Sequence, residues 1–283
     1  MPIPSQLRAM QGIVDAHIHM SRRKNDLLRK YAETNRLEYT PDGLLQVMEA
    51  NGITRGLLLS SVSRSGTPFP CEDAVEISRL SGGRLLPVLT VAPSYKGASE
   101  AVQLAKGRNA GVRGFKVMLG YGGARASDKV FDPVFEYAES AGLPVLFHTG
   151  DTADARGNLA DSHPIRLDEV ANRRRDMTIV ACHFGNPWID DVAELIYKHP
   201  NVYADVSGMT VGGSKYGERY LERLADRLSG AIYYAGGADK VMFGSDYPVT
   251  HPATAITLVK SLAIDEKDKR RILSENAKKV FDI

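Results

Sequence analysis

The feature that most constrains this chain is an alternation that repeats eight times. Short apolar runs rich in Val, Ile and Leu are separated by longer amphipathic stretches. The runs that read as strands are Ile13–His17, Arg55–Ser60, Leu85–Val91, Val112–Leu119, Pro144–His148, Thr178–His183, Val202–Val206 and Val241–Ser245. Between them the spacing predicts helices over Pro41–Asn51, Cys71–Leu80, Ser99–Lys106, Asp132–Ala141, Pro187–His199 and Ser214–Leu228. A terminal helix is expected over Asp265–Phe281. Pro133 and Pro187 fall where a first helical turn tolerates proline, and Gly142 marks a helix end before the fifth strand. Strands that alternate with helices form a parallel sheet with helical crossovers. Eight such units close a barrel, whereas five or six form an open, doubly wound sheet. The α/β class is therefore expected, as one (β/α)8 TIM barrel over residues 1–283 with an extra C-terminal helix. The 283 residues suit this fold, which typically takes about 250.

Charge and composition narrow the partners. Lys and Arg number 36 against 34 Asp and Glu, a net charge of +2. That is too small for a long-range field, so neither nucleic acid nor a membrane surface is expected as a partner. No window approaches ~18 consecutive apolar residues, so no membrane span is expected. The two cysteines, Cys71 and Cys182, form no CxxC motif and suit a reduced compartment. Met1 to Gln11 lacks a basic stretch followed by an apolar run, so no signal peptide is read there and a cytoplasmic location is expected.

A barrel gathers its chemistry at the C-terminal ends of its strands. The first strand ends Asp15-Ala16-His17-Ile18-His19, and alternation places Asp15, His17 and His19 on one face. Two imidazoles so spaced can both reach one ion at about 2.0–2.1 Å. His148 closes the fifth strand, His183 the sixth, and Asp246 follows the eighth. Four of the seven histidines thus fall at strand ends. Imidazole and carboxylate without thiolate suit Zn²⁺ first, with Mn²⁺, Fe²⁺ or Co²⁺ as alternatives. His163, His199 and His251 precede prolines and are assigned to loops without a chemical role. Cys182 alternates with His183 and is expected to face the helices. Arg22, Arg23, Arg125 and Arg156 lie in loops at the barrel mouth, where arginines can clamp a carboxylate, although for any one of them a solvated charge is the plainer expectation. Trp188 either walls the pocket or caps the helix beside it. The glycines around Tyr121 match no phosphate-binding motif.

Taken together, Asp15-Ala-His17-Ile-His19, His148-Thr-Gly, His183-Phe-Gly, Gly244-Ser-Asp246-Tyr-Pro and Ile272-Leu-Ser-Glu-Asn276-Ala277 resemble the amidohydrolase superfamily. More narrowly they are similar to its amidohydrolase-2 branch, which includes aminocarboxymuconate-semialdehyde decarboxylase and related decarboxylases and lactonases. The resemblance runs from residue 15 to residue 277. It implies that His17, His19, His148 and Asp246 hold one divalent metal ion, Zn²⁺ foremost. It implies that His183 lies beside the metal as a proton shuttle and that Asp246 also accepts a proton from water. Binuclear relatives carry a carboxylated lysine on the fourth strand, but the branch mostly uses one metal. Lys116 is therefore expected to be unmodified and paired to a carboxylate inside the mouth. A homodimer or tetramer is the assembly implied. The expected function is a metal-dependent hydrolase that acts with activated water on a C–O or C–N bond of a small carboxylated substrate, a lactone or cyclic amide. The alternative is non-oxidative decarboxylation of an aromatic or muconate-like acid. A third reading, a non-catalytic metal-binding barrel, leaves the acid–base residue without a purpose.

Overall fold

A computed structural model of the chain describes residues 12–60, 70–210 and 217–283. The eight apolar runs become β1 (Ile13–His19), β2 (Ile53–Leu59), β3 (Leu85–Val91), β4 (Gly114–Val117), β5 (Val145–Phe147), β6 (Ile179–Ala181), β7 (Val202–Asp205) and β8 (Val241–Met242). Each strand pairs in parallel with the next in sequence. Hydrogen bonds from Ala16 N to Phe243 O (2.9 Å) and from His19 N to Tyr247 O (2.7 Å) join β1 to the segment of β8 and close the barrel. The expected (β/α)8 barrel is the observed architecture.

Twelve α-helices run outside and below the strands in the described residues. They are α1 (Asp26–Thr34), α2 (Pro41–Ala50), α3 (Glu72–Leu80), α4 (Tyr95–Ala105), α5 (Asp132–Ala141), α6 (Leu159–Ser162), α7 (Leu167–Arg173), α8 (Ile189–Lys198), α9 (Gly217–Tyr234), α10 (Pro252–Ser261), α11 (Glu266–Arg270) and α12 (Asn276–Phe281). Local chemistry explains their starts and stops. Thr40 and Ser94 cap α2 and α4 by accepting from Gly43 N and Gly97 N. Gly142, at φ 65°, ends α5 in the left-handed conformation that only glycine adopts without strain. Pro187 instead lies before the α8 cap, Trp188, and so outside the helix. The helices α1, α6, α7 and α10 add to those expected above; α6, at four residues, is too short to show a period. The expectations for the first eleven residues and for 214–216 lie outside the described residues.

Alternation divides the side chains into two cores. Leu58, Leu89, Phe115 and Phe147 face outward beneath the helices. Val14, Leu57, Val88, Leu146, Val180 and Met242 face inward and fill the barrel. Ala277, Val280 and Phe281 of α12 join that inner cluster and close the end where the strands begin. Asn276 holds α12 in place, since its Nδ2 donates to Ala238 O and Val241 O, both at 2.7 Å. The terminal segment is thus two helices joined by a π turn over Arg271–Glu275, and its last helix is part of the barrel floor. Among the described residues, no helix is long and apolar enough to cross a membrane.

Candidate metal centre and active site

The first strand does not keep simple alternation. Asp15 pairs with Gly56 and Ile18 with Leu58, so β1 spends three steps where β2 spends two. One extra residue there is a bulge, which resets which face the following side chains take. Val14 and Ala16 pack into the barrel interior, while Ile18 packs outward. His17 and His19 share a face as expected. Asp15 does not join them, because the bulge separates it from their alternation. Its Oδ1 instead accepts from Ser245 N (2.8 Å) and His17 N (3.1 Å), tying β1 to β8. Its Oδ2 is buried without a hydrogen-bond partner. Burial raises the Asp15 carboxyl to about 7.

His17, His19 and Asp246 come together. His17 Nε2 is 3.2 Å from His19 Nε2, and Asp246 Oδ1 is 3.6 Å from the first and 3.4 Å from the second. Ligand atoms from these three residues all lie within 4.8 Å of one another. Asp246 reaches this point because its backbone turns at φ 60° and its N–H donates to His17 O. His148 stands on the other side of the mouth, with its Nδ1 3.1 Å from His183 Nε2. The five residues expected from the sequence therefore form two adjoining sets, one of His17, His19 and Asp246, the other of His148 and His183.

Two neighbours were missed. Asp205 ends β7 and Ser207 follows it. Asp205 Oδ2 is 3.0 Å from His17 Nδ1, and Ser207 Oγ lies 3.0 Å from the same nitrogen and 2.9 Å from His183 Nδ1. The signal was present, since Asp205 obeys the same rule as His148, a polar residue at the end of a strand.

Hydrogen-bond partners assign the protons on these rings. His148 Nε2 faces the carbonyl of Asp151 at 2.9 Å, and a carbonyl only accepts, so that nitrogen carries the proton and Nδ1 is bare. His183 Nδ1 faces the carbonyl of Ser207 at 3.2 Å, which leaves Nε2 bare. His17 Nδ1 faces a carboxylate, which leaves its Nε2 bare as well. Burial keeps the rings neutral. It lowers His148 to about 3, with the Lys116 cation adding to the effect. Burial likewise lowers His17, partly opposed by Asp205, and lowers His19 and His183 well below the usual range. For Asp205 burial pushes upward, but His17, His183 and Ser207 outweigh it and hold the carboxyl well below its ordinary value. Asp246 goes the other way, raised well above it by burial despite Lys116.

Lys116 is fully enclosed in the barrel, and its Nζ donates to Cys182 Sγ at 2.8 Å. Its direct partner is thus a thiol and not the expected carboxylate. Cys182 correspondingly faces inward and not toward the helices. It keeps the parity of Val180, and it is His183, at φ 61°, that leaves the alternation and swings into the mouth.

A cavity of about 280 Å³ opens above these groups. His19, His148, His183 and Asp246 form its base, and Leu27, Tyr31, Met118, Tyr121, Met209 and Val249 supply much of its wall. No arginine or lysine lines it among the described residues. Arg156 is instead 76% exposed and bound to Asp154 at 2.7 Å. Arg22 pairs with Asp73, and Arg23 and Arg125 are exposed. The arginines expected at the mouth therefore do not clamp a ligand in this cavity. Trp188 occupies the N-cap position of α8 and packs at a tilt against His163, with ring centroids 4.6 Å apart, and does not wall the pocket.

A closed parallel barrel with imidazoles and a carboxylate at its C-terminal mouth defines a class of enzyme folds. The chain belongs to the amidohydrolase family, whose model matches residues 14–283, and it is an enzyme of that type. No functionally curated protein is close enough in sequence to match. Solved structures share the fold at low identity. An uncharacterised TIM-barrel protein from Bordetella bronchiseptica has a TM-score of 0.74 at 19% identity, covering 95% of this chain and 98% of that one. A probable 2-pyrone-4,6-dicarboxylic acid hydrolase from Acinetobacter baumannii has a TM-score of 0.71 at 18% identity, with coverage of 96% and 100%. A 5-carboxyvanillate decarboxylase from Novosphingobium aromaticivorans, solved with bound manganese, has a TM-score of 0.64 at 15% identity, with coverage of 96% and 98%.

Proposed function

We propose that this protein is a metal-dependent hydrolase that opens a lactone or cyclic amide. The observation that carries the reading is a cluster of enclosed nitrogen and oxygen ligand atoms facing one another. His17 Nε2 and His19 Nε2 lie 3.2 Å apart with Asp246 Oδ1 beside them, and the bare His148 Nδ1 and His183 Nε2 lie 3.1 Å apart. The bare nitrogens of His148 and His183 are both acceptors, and at 3.1 Å they repel unless a cation or a shared proton sits between them. The donor set is nitrogen and oxygen, as zinc, manganese, iron and cobalt accept. His17, His19, His148 and Asp246 would hold the ion, and the manganese bound in the Novosphingobium decarboxylase is consistent with that choice. Such an ion supplies a nucleophilic water at neutral pH and polarises a carbonyl oxygen.

The chain's own groups handle the protons. Asp246 turns Oδ1 toward His17 and His19, and its other carboxylate oxygen can accept a proton from water. His183 keeps its Nδ1 proton on Ser207 and presents a bare Nε2 to the cavity, where it can take a proton given up by water and hand that proton to the leaving oxygen or nitrogen. Leu27, Met118, Tyr121 and Met209 suit the flat, apolar side of a ring.

The test is a purified protein supplied with Zn²⁺ or Mn²⁺. It is expected to retain about one ion per chain and to release acid from a panel of lactones and cyclic amides. CO₂ release from aromatic or muconate-like acids, without lactone opening, would replace the hydrolytic reading by the decarboxylase. Failure to retain any metal would end both.

A further inference from the structure

We propose that Asp205 and Ser207, which do not line the cavity, determine which nitrogen of His17 and of His183 faces the chemistry. The proposal rests on the functional reading above and adds two positioning residues to it. Asp205 is fully buried and can only accept. Its Oδ1 accepts from the backbone N–H groups of His183 and Ser207, both at 3.0 Å, and from the Ser207 hydroxyl. Its Oδ2 faces His17 Nδ1 at 3.0 Å.

The rest follows by counting protons. Ser207 has one hydroxyl proton, and Asp205 takes it, so Ser207 Oγ is left to accept. His183 Nδ1 then faces two acceptors, Ser207 Oγ at 2.9 Å and Ser207 O at 3.2 Å. His17 Nδ1 also faces two, Asp205 Oδ2 at 3.0 Å and Ser207 Oγ at 3.0 Å. Both Nδ1 atoms must carry protons, and both Nε2 atoms are left bare toward the mouth. One carboxylate and one hydroxyl thus orient a proposed metal ligand and the proposed proton shuttle together. The backbone is wrapped closely around this point. A Cβ on Gly208, at φ 62°, would lie 2.8 Å from Asp246 Oδ2 and 2.9 Å from His183 Nδ1.

Asp205→Asn is the discriminating variant because it preserves shape. The two backbone N–H groups cannot reverse, so the amide oxygen must take the Oδ1 place. The amide NH₂ then faces His17 Nδ1, which must accept, and the His17 proton moves to Nε2, into the ligand position. Zn²⁺ affinity is expected to fall ~10–100-fold, as it does when a partner that orients a ligand histidine is lost. Ser207→Ala leaves Asp205 on His17 and the backbone carbonyl of residue 207 on His183 Nδ1. Zn²⁺ affinity is therefore expected to stay within about threefold and the His183 tautomer to stay, while kcat falls a fewfold and KM does not because the ring loses one of its two anchors.

Nitrogen NMR of ¹⁵N-histidine-labelled, Zn²⁺-loaded protein reads the tautomers directly. Wild-type His17 and His183 are both expected to be protonated at Nδ1. An Nε2 proton on either ring overturns the proposal, even if Asp205→Asn does not fold. An unchanged Zn²⁺ affinity in a folded Asp205→Asn protein overturns it as well. The expected tautomers with no lactone turnover would sustain this proposal and sink the hydrolase reading alone.

Discussion

The two ends of the barrel use the same strands in opposite ways. Where the strands begin, Val14, Leu57, Leu146 and Val180 meet Val280 and Phe281 of α12, and the interior is apolar. Where they end, the inward positions are His17, His19, Cys182 and Asp205, with Lys116 enclosed beneath them. Burial stabilises the first end through removal of apolar surface from water. At the second end burial works against charge, which is why His148 falls to about 3 and Asp15 rises to about 7. The comparison teaches that the floor holds the fold while the mouth holds imidazoles and carboxyls whose proton affinities burial has moved from their values in water.

The sharpest way to break this division is at the mouth. His17→Ala is expected to lose the metal and all turnover, by metal analysis and lactone assay, with the far-ultraviolet circular dichroism unchanged. His183→Ala is expected to keep the metal and lose ~10²–10⁴-fold in kcat. A His183→Ala protein that loses its metal instead would make His183 a ligand. At the floor, Phe281→Ala should cost about 3–5 kcal/mol of stability by denaturant titration, as large core truncations do. Zn²⁺ affinity of the folded fraction should not move, and a parallel loss would show that the two ends are coupled.

A smaller effect concerns pH. His17, His19, His148 and His183 have folded values below their unfolded value of about 6.5. Their contribution is present above that value and is lost as pH falls toward the folded values, because the unfolded chain then binds more protons. Asp15 and Asp246 have raised folded values and oppose this between about pH 4 and 7, but two carboxyls offset only part of four imidazoles. The metal-free protein is therefore expected to melt at a lower temperature at pH 5 than at pH 7. A flat profile would mean that the rings are already charged in the fold. The smallest effect is Arg156→Ala. This exposed pair with Asp154 is expected to change stability by less than about 0.5 kcal/mol and kcat/KM by less than about twofold. A large rise in KM would restore the arginine clamp.

Much of this was readable from the chain. Asp132–Ala141 and Leu85–Val91 appear at their expected boundaries, because a helix closed by Gly142 and an uninterrupted apolar run carry their own signals. The five polar residues at strand ends were also legible, because position along a barrel strand is a matter of counting. The short helices α6 and α7 were not, since four and seven residues are too few to show a period. Asp205 was passed over because an aspartate at the end of a strand is also an ordinary turn residue.

The sequence by itself determined the eight repeats, the barrel they close, and the placement of His17, His19, His148, His183 and Asp246 at its mouth. Only the tertiary structure decided which way the neighbouring side chains face and which nitrogens are bare. Alternation predicts a face only while the chain stays in a strand. A bulge after Asp15 and a left-handed turn at His183 both break it. The proton on His17 is set by Asp205, 188 residues further along the chain, and a partner at that distance is found only once the barrel has closed.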